Sequence, residues 1–457
     1  MHRSKTLGGI ALASLMLVAL TGCPSIIANI VGATESVQQA INSASAGDTI
    51  KILGSHTENV TISKDGITLT SETGGSIDGD VTVDGNNVTI SNLTITGKLD
   101  TVPGSFNNLT LDNVTVQGWN NAIVNGTFTC TRIVQPGGVI QDAVNASSSG
   151  DSICVAPGGY TETVDVNTTN VTLAAVPNAG KAGYATNRGK ESTIEGQVLL
   201  TADGVALNGF DISPPPATSN ATSEAVRIDH SADNVVVMNN VVRDFENQSA
   251  PEWEGIEGIV AFGGDASDAI ENVTITRNLV TRISGRNFNG GAAGIFIQGN
   301  VQGAHVADNA INNIGLEKTD WAHGVDILDT GNHSVSPGNI SVTDNDISNI
   351  LSNPASSTFG VGVGVEAENG TTYDITGNDI TDNELGVEVK HTETETAINR
   401  NNISDNSEYG VINQATGTVD ATNNWWGATD GPSGQGPGSG DAVSDHVDFS
   451  DWATSAF

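Results

Sequence analysis

ITGNDITDNELGVEVKH, running from Ile375 to His391, places Asn, Gly and Asp between two strand-like alternations. These residues form strands poorly, so their place inside a β pattern calls for a reason. In GVEVKH, alternation turns Val387 and Val389 to one face and Glu388 and Lys390 to the other. The surrounding chain repeats the unit as an apolar residue, two of any kind, Asn, one of any kind, then an apolar or aromatic residue. It occurs at Val237/Asn240/Val242, Ile275/Asn278/Val280, Val306/Asn309/Ile311, Val342/Asn345/Ile347, Ile375/Asn378/Ile380, Ile398/Asn401/Ile403 and Ala421/Asn424/Trp426, and the last intervals are 23 residues. Such a period with one Asn per turn marks a coil of a parallel β-solenoid. Asn tolerates left-handed backbone and can bond a stacked copy of itself. Asn240, Asn278, Asn309, Asn345, Asn378 and Asn401 are therefore read as a structural ladder and not as ligands.

A second strand column runs through AVRIDHS, GIVAFGG, GIFIQGN, GVDILDT, GVEAENG, GVEVKHT and GVINQAT. Aligning their first residues puts Val226, Ile259, Ile295, Val325, Val365, Val387 and Val411 inside. One outward row then reads Arg227, Val260, Phe296, Asp326, Glu366, Glu388 and Ile412. The next reads Asp229, Phe262, Gln298, Leu328, Glu368, Lys390 and Gln414. On this alignment three acids in successive coils stand about 4.8 Å apart. Like charges so close need a cation, a basic partner or a raised pKa. Asp326, Glu366 and Glu388 are thus candidate Ca²⁺ ligands, or the proton donor and base for a glycosidic bond. Lys390 and Arg227 are candidates to bind a uronate or abstract its proton, with Asp229 beside them. The competing account is that outward positions of a very acidic protein are acidic by chance and relieved by salt.

Insertions gather beside this column. From ladder Asn to the next strand, the plain coils take 8 and 9 residues, whereas the four preceding ones take 15 to 19. These loops carry Trp253, Arg286, Phe288, Lys318, Asp320, Trp321 and His323, and would wall a groove. Aromatics and cations near carboxylates suit sugar binding.

Upstream, VQQAINSASAGDTI at Val37–Ile50 recurs as IQDAVNASSSGDSI at Ile140–Ile153. Each begins with an amphipathic helix that would cap the open edge of a stacked sheet. The 54 glycines, 4% aromatics and lack of long helical runs agree with an all-β chain of 457 residues. The formal charge of −36 disfavours nucleic acid and anionic membranes and resembles proteins of high-salt habitats. The N-terminus, basic then apolar from Leu7 to Leu20, reads as a secretory signal. LTGC at Leu20–Cys23 resembles a lipoprotein signal, which implies lipidation of Cys23 and a membrane anchor. The two remaining cysteines, Cys130 and Cys154, are then expected to pair in an oxidising compartment.

On the repeat, the two caps and the closing NNWWGATDGPSG at Asn423–Gly434, the chain resembles the right-handed parallel β-helix proteins of the pectin-lyase-like superfamily, including NosD-like proteins. The resemblance covers about residues 34–427 and implies that fold. The superfamily holds lyases, hydrolases, esterases, epimerases, adhesins and non-enzymatic repeats. VRIDHS at Val226–Ser231 resembles the Asp-His segment of pectate lyases, without their Arg-Pro pair. The paired Asp of pectin methylesterases, the Asp-Pro-His-Glu of mannuronan epimerases and the Gly-His-Gly of polygalacturonases are absent. Copper handling of the NosD kind lacks a soft-ligand cluster.

The expected organisation is a signal at 1–22, a linker at 23–33, a short β-helical module at 34–129, a main β-helix at 130–427 and a Gly/Asp-rich capping tail at 428–457. Trp425 and Trp426 plug the last coil, with Val447, Phe449 and Trp452 docking over it. The expected function is an exported surface lipoprotein that binds, and in one form cleaves, extracellular polysaccharide. A non-catalytic envelope or adhesive rod is the alternative, and periplasmic metal delivery ranks last.

Overall fold

In the computed structural model, the described residues are 28–457 except 73, 103–107, 120–121, 216–222, 230, 248–254, 265–267, 286–289, 317–318, 330–334, 369–371 and 392–394. The signal segment, Cys23, Trp253, Arg286, Phe288 and Lys318 lie outside them. From Arg132 onward the chain winds through three stacked sheets of twelve, ten and eleven strands, joined in parallel. Their inward Val, Ile and Leu side chains form one continuous core, in which Val226, Ile275, Ile311 and Val411 are fully buried.

The Asn ladder runs unbroken along this body. Asn240 Nδ2 donates to Asn278 Oδ1 at 3.1 Å, and the same bond repeats at 2.9–3.0 Å through Asn309, Asn345, Asn378 and Asn401 to Asn424. The backbone N–H of each also donates to the next Oδ1. The left-handed bend falls one residue earlier than the amide argument supposed. Positive φ belongs to Asn239, Arg277, Asp308, Asp344, Gly377, Arg400 and Asn423. The ladder Asn is selected for its side-chain bonds, and its predecessor takes the bend. Asn383, Asn406 and Asp441 form a second, shorter ladder that the sequence reading missed.

Two short helices, α1 (Val37–Ser43) and α2 (Ile140–Asn145), bury Val37 and Ile41, and Ile140 and Val144. Glu58 accepts from the N–H groups of Val37 and Gln38, and Glu162 from those of Ile140 and Gln141, so each helix N-terminus faces a carboxylate from a following coil. Before α2, Leu109–Val116 pairs in parallel with Thr89–Ser91 but antiparallel with Ala122–Cys130, which departs from the all-parallel expectation. Cys130 and Cys154 are disulfide-bonded. The core of residues 31–130 continues onto Cys154, Ala156 and Val176. At the far end Trp426 is fully buried, and Phe449 and Trp452 pack against the core.

Candidate functional site

Seven successive strands of the eleven-stranded sheet carry the site: β1 (Glu224–Ile228), β2 (Ile256–Phe262), β3 (Gly291–Gln298), β4 (Trp321–Leu328), β5 (Gly360–Val365), β6 (Leu385–Val389) and β7 (Tyr409–Asn413). The insertions noted in the sequence become strand as well as loop. Trp321 and His323, expected in a loop, open β4, where Gly291 pairs with Trp321 and Ala293 with His323.

A column of glycines shapes the outer face. A Cβ on Gly294, Gly324 or Gly362 would lie 2.5–2.7 Å from the carbonyl oxygen of the glycine on the next coil, closer than a Cβ tolerates. In β4, Gly324 and Val325 both turn inward in succession, against Ile347 and into the core. That break in the alternation leaves His323 and Asp326 on either side of a bend and brings them together. His323 Nδ1 lies 2.9 Å from Asp326 Oδ2.

These residues floor a cavity of about 590 Å³. Trp321 lies where a Cβ on Gly291 would stand, and its ring is 5.4 Å from that of His323. Phe296 and Leu328 continue the apolar wall, with Val260 and Ala293 beneath. Ser357, Thr358 and Phe359 form the facing wall, and Phe359 is 42% exposed. Glu384 anchors this segment by accepting from the Ser352 hydroxyl at 2.7 Å.

The charged groups form a chain. His323 Nε2 lies 3.6 Å from Glu366 Oε1, which is 2.5 Å from Lys390 Nζ, and Lys390 is in turn 3.6 Å from Glu388 Oε2. Gln414 donates to the other Glu388 oxygen. Burial pushes the Glu388 carboxyl above its usual range, and Lys390 and His323 offset this only in part. Burial alone would lower the His323 pKa. Asp326, Glu366 and Glu388 outweigh it, so the imidazole is held above its ordinary value. Lys390 behaves likewise, burial being overcome first by Glu366.

Several expectations need correction. Asp326, Glu366 and Glu388 do not share a row, because the aligned partner of Asp326 and Glu388 is Gly364, and Val363 takes the inward place assigned to Val365. Glu366 follows one step after the pair Val365–Val389, beside Lys390. The GVGVGV run at Gly360–Val365 offers two alternating registers, and the glycine column selects the one that stacks Gly362 between Gly324 and Gly386. The outward acids are also not solvent-facing, since Asp326 is 2% and Glu388 6% exposed. Bulk salt does not relieve them; His323 and Lys390 do.

The calcium triad fares similarly. Among the described residues, the groups that converge, with one ligand atom each within 4.8 Å of the others, are His323, Glu366 and Glu388. Ca²⁺ requires six to eight oxygens. This set replaces Asp326 with an imidazole, and its two carboxylates already face the Lys390 ammonium at 2.5 Å and 3.6 Å.

Arg227 and Asp229 are not brought into the cavity. Arg227 stands three coil steps, about 14 Å, from Asp326, bonded to Glu224 and Asp229 and stacked 4.7 Å from the Phe262 ring. Phe296, Trp321, His323, Asp326, Glu366, Glu388 and Lys390 all line it. Glu257, Phe359 and Gly364 were missed. The glycine before each inward residue could not fix the register, because Gly362–Val363 and Gly364–Val365 match it equally.

No protein-family model matches the chain, and no curated protein matches it. Among solved structures it is similar to the Dettilon tailspike protein, at 12% identity over 92% of this chain and 68% of that one, with a TM-score of 0.33. It is similar to pectate lyase Pel9A at 13% identity over 69% and 72% of the two chains (TM-score 0.38). A double mutant of the periplasmic alginate epimerase AlgG aligns at 13% identity over 93% and 83% (TM-score 0.33). The stacked parallel sheets, wound coil after coil around one core, decide the architecture. The chain is a parallel β-helix protein. In this β-helix the cavity lies on the outer face of one sheet, where the enlarged loops rise beside it.

Proposed function

We propose that this β-helix binds a neutral polysaccharide in the cavity and hydrolyses its glycosidic bonds. The observation that carries the reading is the pairing of a buried carboxyl, Glu388, whose pKa burial raises, with a second carboxylate, Glu366, ion-paired to Lys390. Two carboxyls in environments this different supply a proton donor and an anionic partner for a cationic transition state. Trp321, Phe296 and Phe359 offer apolar faces for sugar rings. The charges of the cluster nearly cancel within a protein of net charge −36, which favours a neutral glycan over a polyuronate. Export to an oxidising compartment with a lipid at Cys23 is part of the proposal, supported by the Cys130–Cys154 disulfide.

The test incubates the chain from Pro24 onward with neutral and acidic polysaccharides and follows reducing ends and unsaturated products. Release of reducing ends without unsaturation is expected, and Glu388→Gln should lower it by about 10²–10⁴-fold while the circular dichroism spectrum is unchanged. Unsaturated products would replace hydrolysis with elimination. Binding without cleavage would make the protein an adhesin.

A further inference from the structure

Trp321 is seated on glycine. A Cβ on Gly291 would fall against Cε2, Cζ2 and Cδ2 of the indole, far inside contact distance, and these are its three nearest atoms. Cε2 is bonded to both of the others, so a point that close to all three lies beneath the face of the ring. The indole therefore lies flat on the Gly291 backbone. It extends further toward Gly255, where a Cβ would stand 3.4 Å from Cη2 and Cζ2. Starting from β4, the ring thus crosses β3 and reaches the residue before β2. Its inner face is covered, and Trp321 lines the cavity while only partly buried, which leaves the outer face to a ligand.

The same seat carries the ring away from the acids. It lies over β3, whereas Glu366 follows β5 and Glu388 is in β6, two and three coils farther on, or about 10 and 14 Å along the axis. The His323 ring fills the interval, 5.4 Å from the indole and, through Nε2, 3.6 Å from Glu366. We infer that Trp321 is the platform of a separate subsite, which stacks a sugar ring other than the one whose bond is cut. The ligand is then a chain long enough to reach from the carboxyls to the indole, and a disaccharide is too short to use both. A flat apolar surface suits the C–H face of a pyranose ring. Because glycine backbone already holds the indole, binding orders little, and the contact serves to position the chain over the carboxyls. The inference takes its ligand from the proposed glycan reading and needs no step of the hydrolysis.

Affinity is measured by calorimetry for Glu388→Gln, which arrests the proposed cleavage, against di- to hexasaccharides of the neutral glycan that the panel identifies. Trp321→Ala, Trp321→Phe and Gly291→Ala are then added to this background. The dissociation constant of the parent should fall by about tenfold, the scale of one aromatic contact, once the chain spans the indole and the carboxyls. Trp321→Ala should abolish that step and leave disaccharide affinity unchanged, and Trp321→Phe should restore part of it. Gly291→Ala inserts a methyl where the ring rests, so it should remove the same step with Trp321 still present. A circular dichroism spectrum like the parent's checks that it folds; if it does not, Trp321→Ala alone decides. A Trp321→Ala loss equal at every length would mark a packing role and overturn the inference, as would no loss at any length. Failure of every glycan to bind wild type would overturn this inference and the proposed function together. Length-dependent binding without release of reducing ends by wild type would refute the hydrolysis alone.

Discussion

At the residue scale, the cluster trades solvent for neighbours. His323 is 5% exposed, and its charge is held by carboxylates against the cost of burial. A group whose pKa rises on folding adds stability that is complete below its unfolded value and is lost as pH climbs through the folded one. For His323 that window opens at 6.5, its ordinary value. Chemical denaturation of wild type and His323→Gln across pH 5 to 9 is expected to show His323 contributing most at low pH. The advantage should decline above 6.5 by about 1.4 kcal/mol per pH unit until the folded value is passed. A difference independent of pH would mean that folding leaves the proton affinity of the imidazole unchanged, and one that grows with pH would mean that it is buried neutral. The individual residues were legible as candidates because charged side chains on strands with apolar partners stand out. Their company was not. The sequence brought Asp326 and Glu366 side by side, whereas folding joins Glu366 to Lys390 and to His323, a residue that looked like part of a loop.

At the element scale, one coil hands its bonds to the next. Asn345 donates to Val306 O and Asn378 Oδ1 and accepts from both the backbone and side-chain N–H of Asn309. Asn345→Ala would orphan several buried groups at once, and each costs about 1–3 kcal/mol. Urea denaturation should show a loss of at least that size, while Asn399→Ala, on a partly exposed side chain, should lose less. This ladder was readable because its spacing varies only through loops while its flanking apolar residues persist. The register of β5 was not, because Gly and Val alternate there with no polar side chain to mark a face. Only the contact of glycine with carbonyl, a three-dimensional constraint, distinguishes Gly362 from its neighbours.

At the scale of the whole molecule, 53 acidic residues repel one another on a stacked scaffold. Screening shortens that repulsion from about 10 Å at 0.1 M salt to about 3 Å at 1 M. The Tm is therefore expected to rise between 0.1 and 1 M NaCl, followed by circular dichroism. A flat profile would show that internal ion pairs such as those of Arg243 with Asp211 and Asp244 already balance the surface. The coil architecture was visible from the repeat alone, whereas the antiparallel pairing of Leu109–Val116 with Ala122–Cys130 carries no periodic mark.

The glycine column also limits how such a site can change. Asp326 and Glu388 are separated by one intervening strand, and their distance is counted in coils of about 4.8 Å. An insertion that preserves both ladders must add a whole coil, so their separation can lengthen only in jumps, never by gradual drift. Fine adjustment is left to the loops and to the choice between a glycine and a side chain at the places between them.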